Sequence, residues 1–202
     1  MIYLYGAGGH AKVILEILAA AQTPAQGIWD EHKEGGLLGC KIAGKFDPEN
    51  LPHGHEMILA IGSNQVRKKL SGQHAGIKFA SAIHPTACIS PTAKIGTGTV
   101  VMANVTVNAD TVVGEHCILN TNCSVDHDNQ IGNFAHISPN AALAGNVVVG
   151  EGTHIGIGAC VIQGIKIGKW ATIGAGTVVI TDVPDYAVVV GNPGKIIKYN
   201  TI

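Results

Sequence analysis

Charge is scarce in this chain of 202 residues: 13% of positions are Asp, Glu, Lys or Arg, the formal net charge is -1, and Arg67 is the sole arginine. So weak a basic balance argues against a nucleic-acid or membrane-surface partner. Long apolar runs are missing too, and none reaches the roughly 18 residues of a membrane-crossing helix. The opening MIYLYGAGGH lacks a charged n-region and reads as a first strand rather than a signal peptide, so a cytoplasmic setting is expected. Five cysteines form no CxxC pair, which gives no disulfide or zinc framework. Low charge with a mean hydropathy of +0.27 suggests that another subunit covers part of the surface.

What the chain has in abundance is a period of six. From Ile83 to Val179, through Val101, Leu119, Ile137 and Ile155, every sixth residue is Ile, Val or Leu, seventeen times without an insertion. Helices repeat near 3.6 residues and strands near 2, so neither alone sustains this period. A short strand plus a turn, stacked as a solenoid, does. Two residues before each aliphatic sits a mostly small one, such as Ala93, Thr99, Cys117 or Cys123, expected to point inward; the two cysteines are read as buried filler. Glycine often follows the aliphatic directly (Gly96, Gly114, Gly132, Gly150), where we expect it to relieve awkward backbone angles at a corner.

Before the repeat, an apolar run at residues 1–6 leads into Gly6-Ala7-Gly8-Gly9-His10 and a helical pattern at Val13, Ile14, Ile17 and Leu18. Strand, glycine turn, helix opens a nucleotide-binding βαβ unit, and Gly6, Gly8 and Ala11 fit G-x-G-x-x-A. A second strand ends at Asp30, where an acid commonly meets a ribose hydroxyl. A third, Met57–Ile61, runs into Gly62-Ser63-Asn64, and Ser63 or Asn64 can cap a helix over 65–70. Residues 41–52, with Gly44, Pro48 and Pro52, read as connecting loops. The predicted organisation is a small Rossmann-like parallel α/β domain (1–80), an all-β solenoid (81–184) and a C-terminal strand and tail (185–202).

Within the repeat, Asp126-His127-Asp128 stands out against low-charge hexads. An imidazole beside a carboxylate is a workable general base, because the carboxylate fixes the tautomer and stabilises the imidazolium. Either Asp126 or Asp128 can fill that role. His136 and His154 are eighteen residues apart and should stack if three hexads make a coil. His127 and His136 should fall on different faces, apart within one subunit but able to meet across a packed trimer. His116 and His154 are otherwise read as solvated corner residues. A metal site needs three converging ligands; only His127 and His136 are plausible, so no metal is expected.

Several segments occur in a telling order: Tyr3–His10, Ala60–Lys69, Ile118–Thr121, His127-Asp128, Ile131–His136, Ala144–Val147 and Gly191–Lys195. With them the chain resembles the hexapeptide-repeat family, whose solenoid is a left-handed parallel β-helix of triangular section. Within it the resemblance is to acetyl-CoA-dependent sugar acyltransferases of the sialic-acid O-acetyltransferase type, closest to the UDP-4-amino-sugar N-acetyltransferases of the bacillosamine pathway. That resemblance implies a homotrimer with active sites between subunits, acetyl-CoA as acyl donor and a nucleotide-sugar acceptor. It implies a nucleotide-sugar cradle of Gly8, Gly9, His10, Asp30, Glu31 and Gly62, with Asn120 near the sugar. His127 matches the family's base, with Asp128 where the family usually has Glu. His136 matches a contact to the acetyl group, and Ile157 and Ala175 match backbone contacts to the pantetheine arm. Lys166, Lys169, Lys195 and Lys198 are candidates for CoA phosphates. A sugar O-acetyltransferase and a non-catalytic nucleotide-sugar-binding trimer are the rival readings.

Overall fold

The computed structural model describes residues 1–47 and 54–201; Pro48 and Pro52 of the expected loop lie outside the described residues. The N-terminal sheet has the order β3-β4-β2-β1-β5. It comprises β1 (Ile2–Tyr5), β2 (Gly27–Trp29), β3 (Gly35–Leu37), β4 (Cys40–Ile42) and β5 (Glu56–Leu59), with α1 (Gly9–Ala20) and α2 (Asn64–Gln73) between and after them. β2, β1 and β5 are parallel, and β3 pairs antiparallel with β4. This hairpin corrects the loop reading at Lys41 and Ile42, which are ladder residues, while residues 43–47 are loop as expected. With its three glycines and an exposed Leu38, the hairpin has no alternating apolar signal to announce it. Helix α1 buries Ala11, Ile14, Ile17 and Leu18, the stripe that its apolar spacing demands. Ser63 caps α2, its hydroxyl accepting from Val66 N.

Seventeen two-residue strands follow, β6 (Ala82–Ile83) to β22 (Val178–Val179), each ending on one of the periodic aliphatics. From β6 to β19 each strand pairs in parallel with the strand eighteen residues on, as in Ile118 with His136 and His136 with His154. Three sheets result, and they are the faces of a triangular solenoid. The first face carries Ala82, Val100, Ile118, His136, His154 and Thr172 outward; β23 (Ala187–Val190) extends it and β24 (Lys195–Tyr199) closes it antiparallel. The second carries Cys88, Thr106, Ser124, Ala142, Cys160 and Val178, and the third Lys94, Val112, Gln130, Val148 and Lys166. The aliphatics and small residues, Cys117 and Cys123 among them, fill the interior.

The corners correct one expectation. The glycines directly after the aliphatics do not supply left-handed backbone. A Cβ on Gly96, Gly132 or Gly150 would lie within 2.6 Å of the next coil's backbone, so glycine there lets coils approach. The left-handed residue comes two positions later and recurs every six: Asn104, Asp110, His116, Asn122, Asp128, Phe134, Asn140 and Asn146 all have φ between 53° and 61°. Asn and Asp tolerate this region best, whereas His116 and Phe134 hold it because they are packed. His116 is therefore no solvated corner residue. Only 5% exposed, it lies edge-on to Phe79 and stacks on Phe134 at 5.4 Å.

The α/β domain sits on the first face and on the edge where the third face turns into it. Val100 and Ile118 are buried there. Arg67, 2% exposed, clamps the junction with all five donors. Its Nε donates to His116 O (3.0 Å), Nη1 to Ile61 O and Gly62 O (3.0 and 2.9 Å), and Nη2 to Asn64 Oδ1 and Phe134 O (2.9 and 3.0 Å). The sequence identified Arg67 as the sole arginine but not as a tie between domains.

Candidate active site

The glycine turn lies at the C-terminal end of β1. Gly6 is obligatory: its φ is 104°, and a Cβ would strike Ile61 Cδ1 at 2.5 Å. Gly8, Gly9 and Gly62 are different, because a Cβ at each meets open space. The turn thus presents bare backbone outward, and α1 begins there with no side-chain cap and no acidic residue in its first turn. Such a helix start has unsatisfied N–H groups and the positive end of the dipole. Asp30 braces the turn from behind, Oδ2 accepting from Ala7 N (2.7 Å) and Oδ1 from the N–H groups of His32 and Lys33. Despite some burial, these bonds hold its carboxyl below the usual range. Glu31 accepts from Tyr5 OH at 2.9 Å; burial and this bond push the phenol up to about 12. The Asp30 carboxylate therefore has backbone partners of its own as well as a place beside the cradle.

Beyond the turn, the first face changes from apolar to polar. His136 and His154 stack with ring centroids 4.8 Å apart and planes within 2°, so His154 is a strand residue rather than a corner one. Asn120 Oδ1 accepts from Thr121 N, leaving Nδ2 facing His136 Nε2 at 3.1 Å. An amide nitrogen can only donate, so His136 Nε2 accepts and its proton sits on Nδ1. Burial, then His154, Arg67 and His10, push the His136 imidazole down to about 3. It is neutral at physiological pH and suited to donate a hydrogen bond, not to accept a proton. Burial and Arg67 take His10 to about 4, and its Nε2 has no hydrogen-bond partner. His154 Nε2 meets Ser138 Oγ at 2.8 Å, a partner the sequence did not single out. A cleft of about 220 Å³ between the two domains is lined by Gly62, Ser63, Asn64, His154 and Thr172.

His127 lies elsewhere. It turns the edge between the second and third faces, opposite the face that carries His136. It is 59% exposed, with Nδ1 on Asp128 Oδ2 at 2.8 Å. Asp126 is otherwise engaged, its Oδ1 accepting from Asn108 Nδ2 and from the His127 backbone N–H, both at 2.8 Å. Asp128 is thus the ring's hydrogen-bond partner. That bond, then Asp126, raises the imidazole above its ordinary value. A groove of about 450 Å³ along the second face passes Asp126, Ala144 and Cys160. Cys123, the nearest cysteine in sequence, is buried, which pushes its thiol up to about 12 and makes it a poor nucleophile.

Ile157 and Ala175 sit one above the other on the edge between the first and second faces, where Gly176 N donates to Ile157 O at 2.8 Å. Of the four lysines, Lys169 pairs with Asp185 at 3.8 Å, and Lys195 and Lys198 are exposed on β24. The fold thus gathers Gly8, Gly9, His10, Gly62, Asn120 and His136 on one side of the solenoid and leaves His127 and Asp128 on the opposite edge. Among the described residues no three His, Cys, Asp or Glu side chains converge as a metal site, and no helix is long and apolar enough to cross a membrane.

The structural relatives of this hexad solenoid fused to a glycine-turn α/β unit are β-helix acyltransferases. Residues 1–73 match the family described as the PglD N-terminal domain. The structure superposes on PerB from Caulobacter crescentus in complex with CoA and GDP-perosamine with a TM-score of 0.90 at 40% identity, covering 96% of each chain. It also matches the acetyltransferase domain of PglB from Neisseria gonorrhoeae, solved in complex with acetyl coenzyme A, with a TM-score of 0.90 at 38% identity over 97% of this chain and 98% of that one. The UDP-N-acetylbacillosamine N-acetyltransferase of Bacillus subtilis is 40% identical over 112 residues, 50% of this chain and 51% of that protein. An uncharacterised Acanthamoeba polyphaga mimivirus protein is 33% identical over 115 residues, 56% of this chain and 24% of that protein. The chain thus spans about half the length of the first of these curated relatives and about a quarter of the second. It belongs to the hexapeptide-repeat sugar N-acetyltransferases, and its solenoid is the left-handed β-helix of that group.

Proposed function

We propose that this protein transfers an acetyl group from acetyl-CoA to the 4-amino group of a UDP-linked 4-amino-4,6-dideoxy sugar. The observation that carries the chemistry is the exposed His127 imidazole, held through Nδ1 by Asp128. That bond leaves Nε2 as the basic atom. As the amine nitrogen attacks the thioester carbonyl carbon, its proton passes to His127 Nε2, the C–S bond breaks, and CoA leaves as the thiolate. No acyl-enzyme intervenes. The neutral His136 supplies Nδ1–H to the developing oxyanion. The bare turn at Gly8 and Gly9, with the α1 N-terminus, His10 and Gly62, takes the nucleotide diphosphate, as helix starts do for phosphates. Asp30 and Glu31 lie beside it and Asn120 reaches the sugar, while Ile157 and Ala175 guide the pantetheine arm.

Within one chain the turn and the base lie on opposite sides of the solenoid, so the active site forms between copies. A homotrimer brings His127 of one copy to the His136 side of the next, and amine and thioester are held together at that seam. The relatives differ in nucleotide: GDP-perosamine accompanies PerB, and the B. subtilis relative is named for a UDP sugar. The test is turnover of UDP- and GDP-4-amino-4,6-dideoxy sugars with acetyl-CoA. Turnover of sugar hydroxyls alone overturns the N-acetyl reading, and a preference for GDP sugars overturns the nucleotide. His127→Ala is expected to lower kcat by at least ~10²-fold with acetyl-CoA binding retained. An unchanged kcat defeats the base, and a monomer with full turnover defeats the shared site.

A further inference from the structure

From Ile89 on, the interior position that precedes each aliphatic by two is held by Ala, Thr, Val, Cys or Ile, except at residue 129, where it is Asn. Asn129 is fully buried. At 99, 111 and 153 a threonine in this slot does two things, and Thr111 Oγ1 donates to Asp126 O and accepts from Asn129 N. Thr99 Oγ1 donates to Gly114 O and accepts from Cys117 N, and Thr153 Oγ1 donates to Gly168 O and accepts from Ala171 N. Each therefore links a carbonyl fifteen residues on with an N–H eighteen residues on. Asn129 does the same, Nδ2 donating to Ala144 O at 3.0 Å and Oδ1 accepting from Val147 N at 3.0 Å. Its second N–H goes further than a hydroxyl can. Nδ2 also donates to Asp126 O at 2.7 Å and approaches His127 O at 3.4 Å.

These contacts converge on the base. Asp126 and His127 form the corner itself, and Ala144 precedes Gly145, on which the ring lies. A Cβ built on Gly145 would be 2.6 Å from His127 Cε1 and 2.7 Å from Nε2. One buried amide thus holds the backbone beneath the ring and the backbone against which it packs. We propose that Asn129 is a positioning residue for His127, setting the slot in which the imidazole meets Asp128 on one side and Gly145 on the other. This rests on the reading of His127 as the base. The titratable groups around the ring are Asp126 and Asp128, with Asp110 in the coil below. The coil above brings Gly145 and Asn146 and no charge.

The test is Asn129→Thr, which keeps the two coil-to-coil bonds by analogy with Thr99 and Thr153 and removes the amide donor to Asp126 and His127, leaving Asp126 O with only the Thr111 hydroxyl. We expect kcat to fall at least 10-fold, KM for acetyl-CoA to stay within twofold and Tm to move by only a few degrees. The His127 ring titration, followed by NMR of labelled histidine, shifts toward ordinary imidazole, and the acid limb of kcat follows it. Thr99→Val, which cuts the same kind of bonds far from His127, lowers Tm and leaves both readouts in place. If Asn129→Thr does not fold, Asn129→Ser is read the same way. An unmoved titration with kcat within twofold overturns the proposal. If His127→Ala keeps its kcat while Asn129→Thr shifts the titration, the base reading fails and the positioning stands.

Discussion

Arg67→Met removes the clamp between the two domains at nearly constant volume. Among the described residues the buried guanidinium has no carboxylate partner, and its charge faces oxygen dipoles: the carbonyls of Ile61, Gly62, His116 and Phe134 and the Asn64 side chain. A buried acceptor that loses its donor costs ~1–3 kcal/mol, so four carbonyls amount to roughly 4–12 kcal/mol. Removing a desolvated, unpaired charge returns several kcal/mol. The net expectation is a loss of about 2–4 kcal/mol. Arg67→Lys keeps the charge but has three donors in place of a five-donor fork and should lie between. Urea unfolding at pH 7.5 gives both values. The Met variant should also lose affinity for the nucleotide sugar, because the Gly62 loop is no longer tied to the coil that presents His136. A Met variant within 0.5 kcal/mol of wild type, with unchanged nucleotide-sugar affinity, refutes this account of the junction.

Asp128→Asn removes the main cause of the raised His127 imidazole. The neutral ring is the working form, so activity is lost as pH falls through its pKa. The variant's acid limb, read from kcat/KM against pH, should move to lower pH while the plateau drops about 10-fold or more. Gly145→Ala should push the ring by about 1 Å, enough to cost ~10²-fold in kcat, with Tm little changed because the φ at this glycine lies outside the left-handed region; wild-type kcat would contradict the packing. His10 and His116 titrate near 4 and His136 near 3 in the fold, against 6.5 when free. Protons are therefore taken up on unfolding below pH 6.5. Thermal stability should fall as pH drops from about 6.5 to about 3, and His116→Asn, which also suits a left-handed corner, should flatten that slope.

Much of the architecture was legible in the residues alone because the solenoid is built from local rules. A period of six with one aliphatic per hexad specifies strand length, the inward side chain and, given three hexads per coil, the eighteen-residue register that stacks His136 on His154. The glycine turn was equally readable, since Gly6 answers to a single backbone angle and one close contact. The carboxylate neighbours marked His127, although which of them serves the ring depends on Asn108 engaging Asp126 from the coil below.

What only the tertiary structure decided concerns contacts between residues far apart in the chain. Glycines such as Gly96 and Gly132 serve coil spacing and not backbone angle, which no local pattern distinguishes. His116 read as a solvated corner residue; it is at a corner, but Phe79 of the other domain covers it. The isolated arginine was visible, but its five acceptors lie on segments up to 67 residues away. The substitution of Asn for a small residue at position 129 was visible too, but its meaning depends on coils brought together by winding. Hexad chemistry is local and therefore written in order along the chain; a site assembled across faces, domains and copies depends on how far the coils have turned.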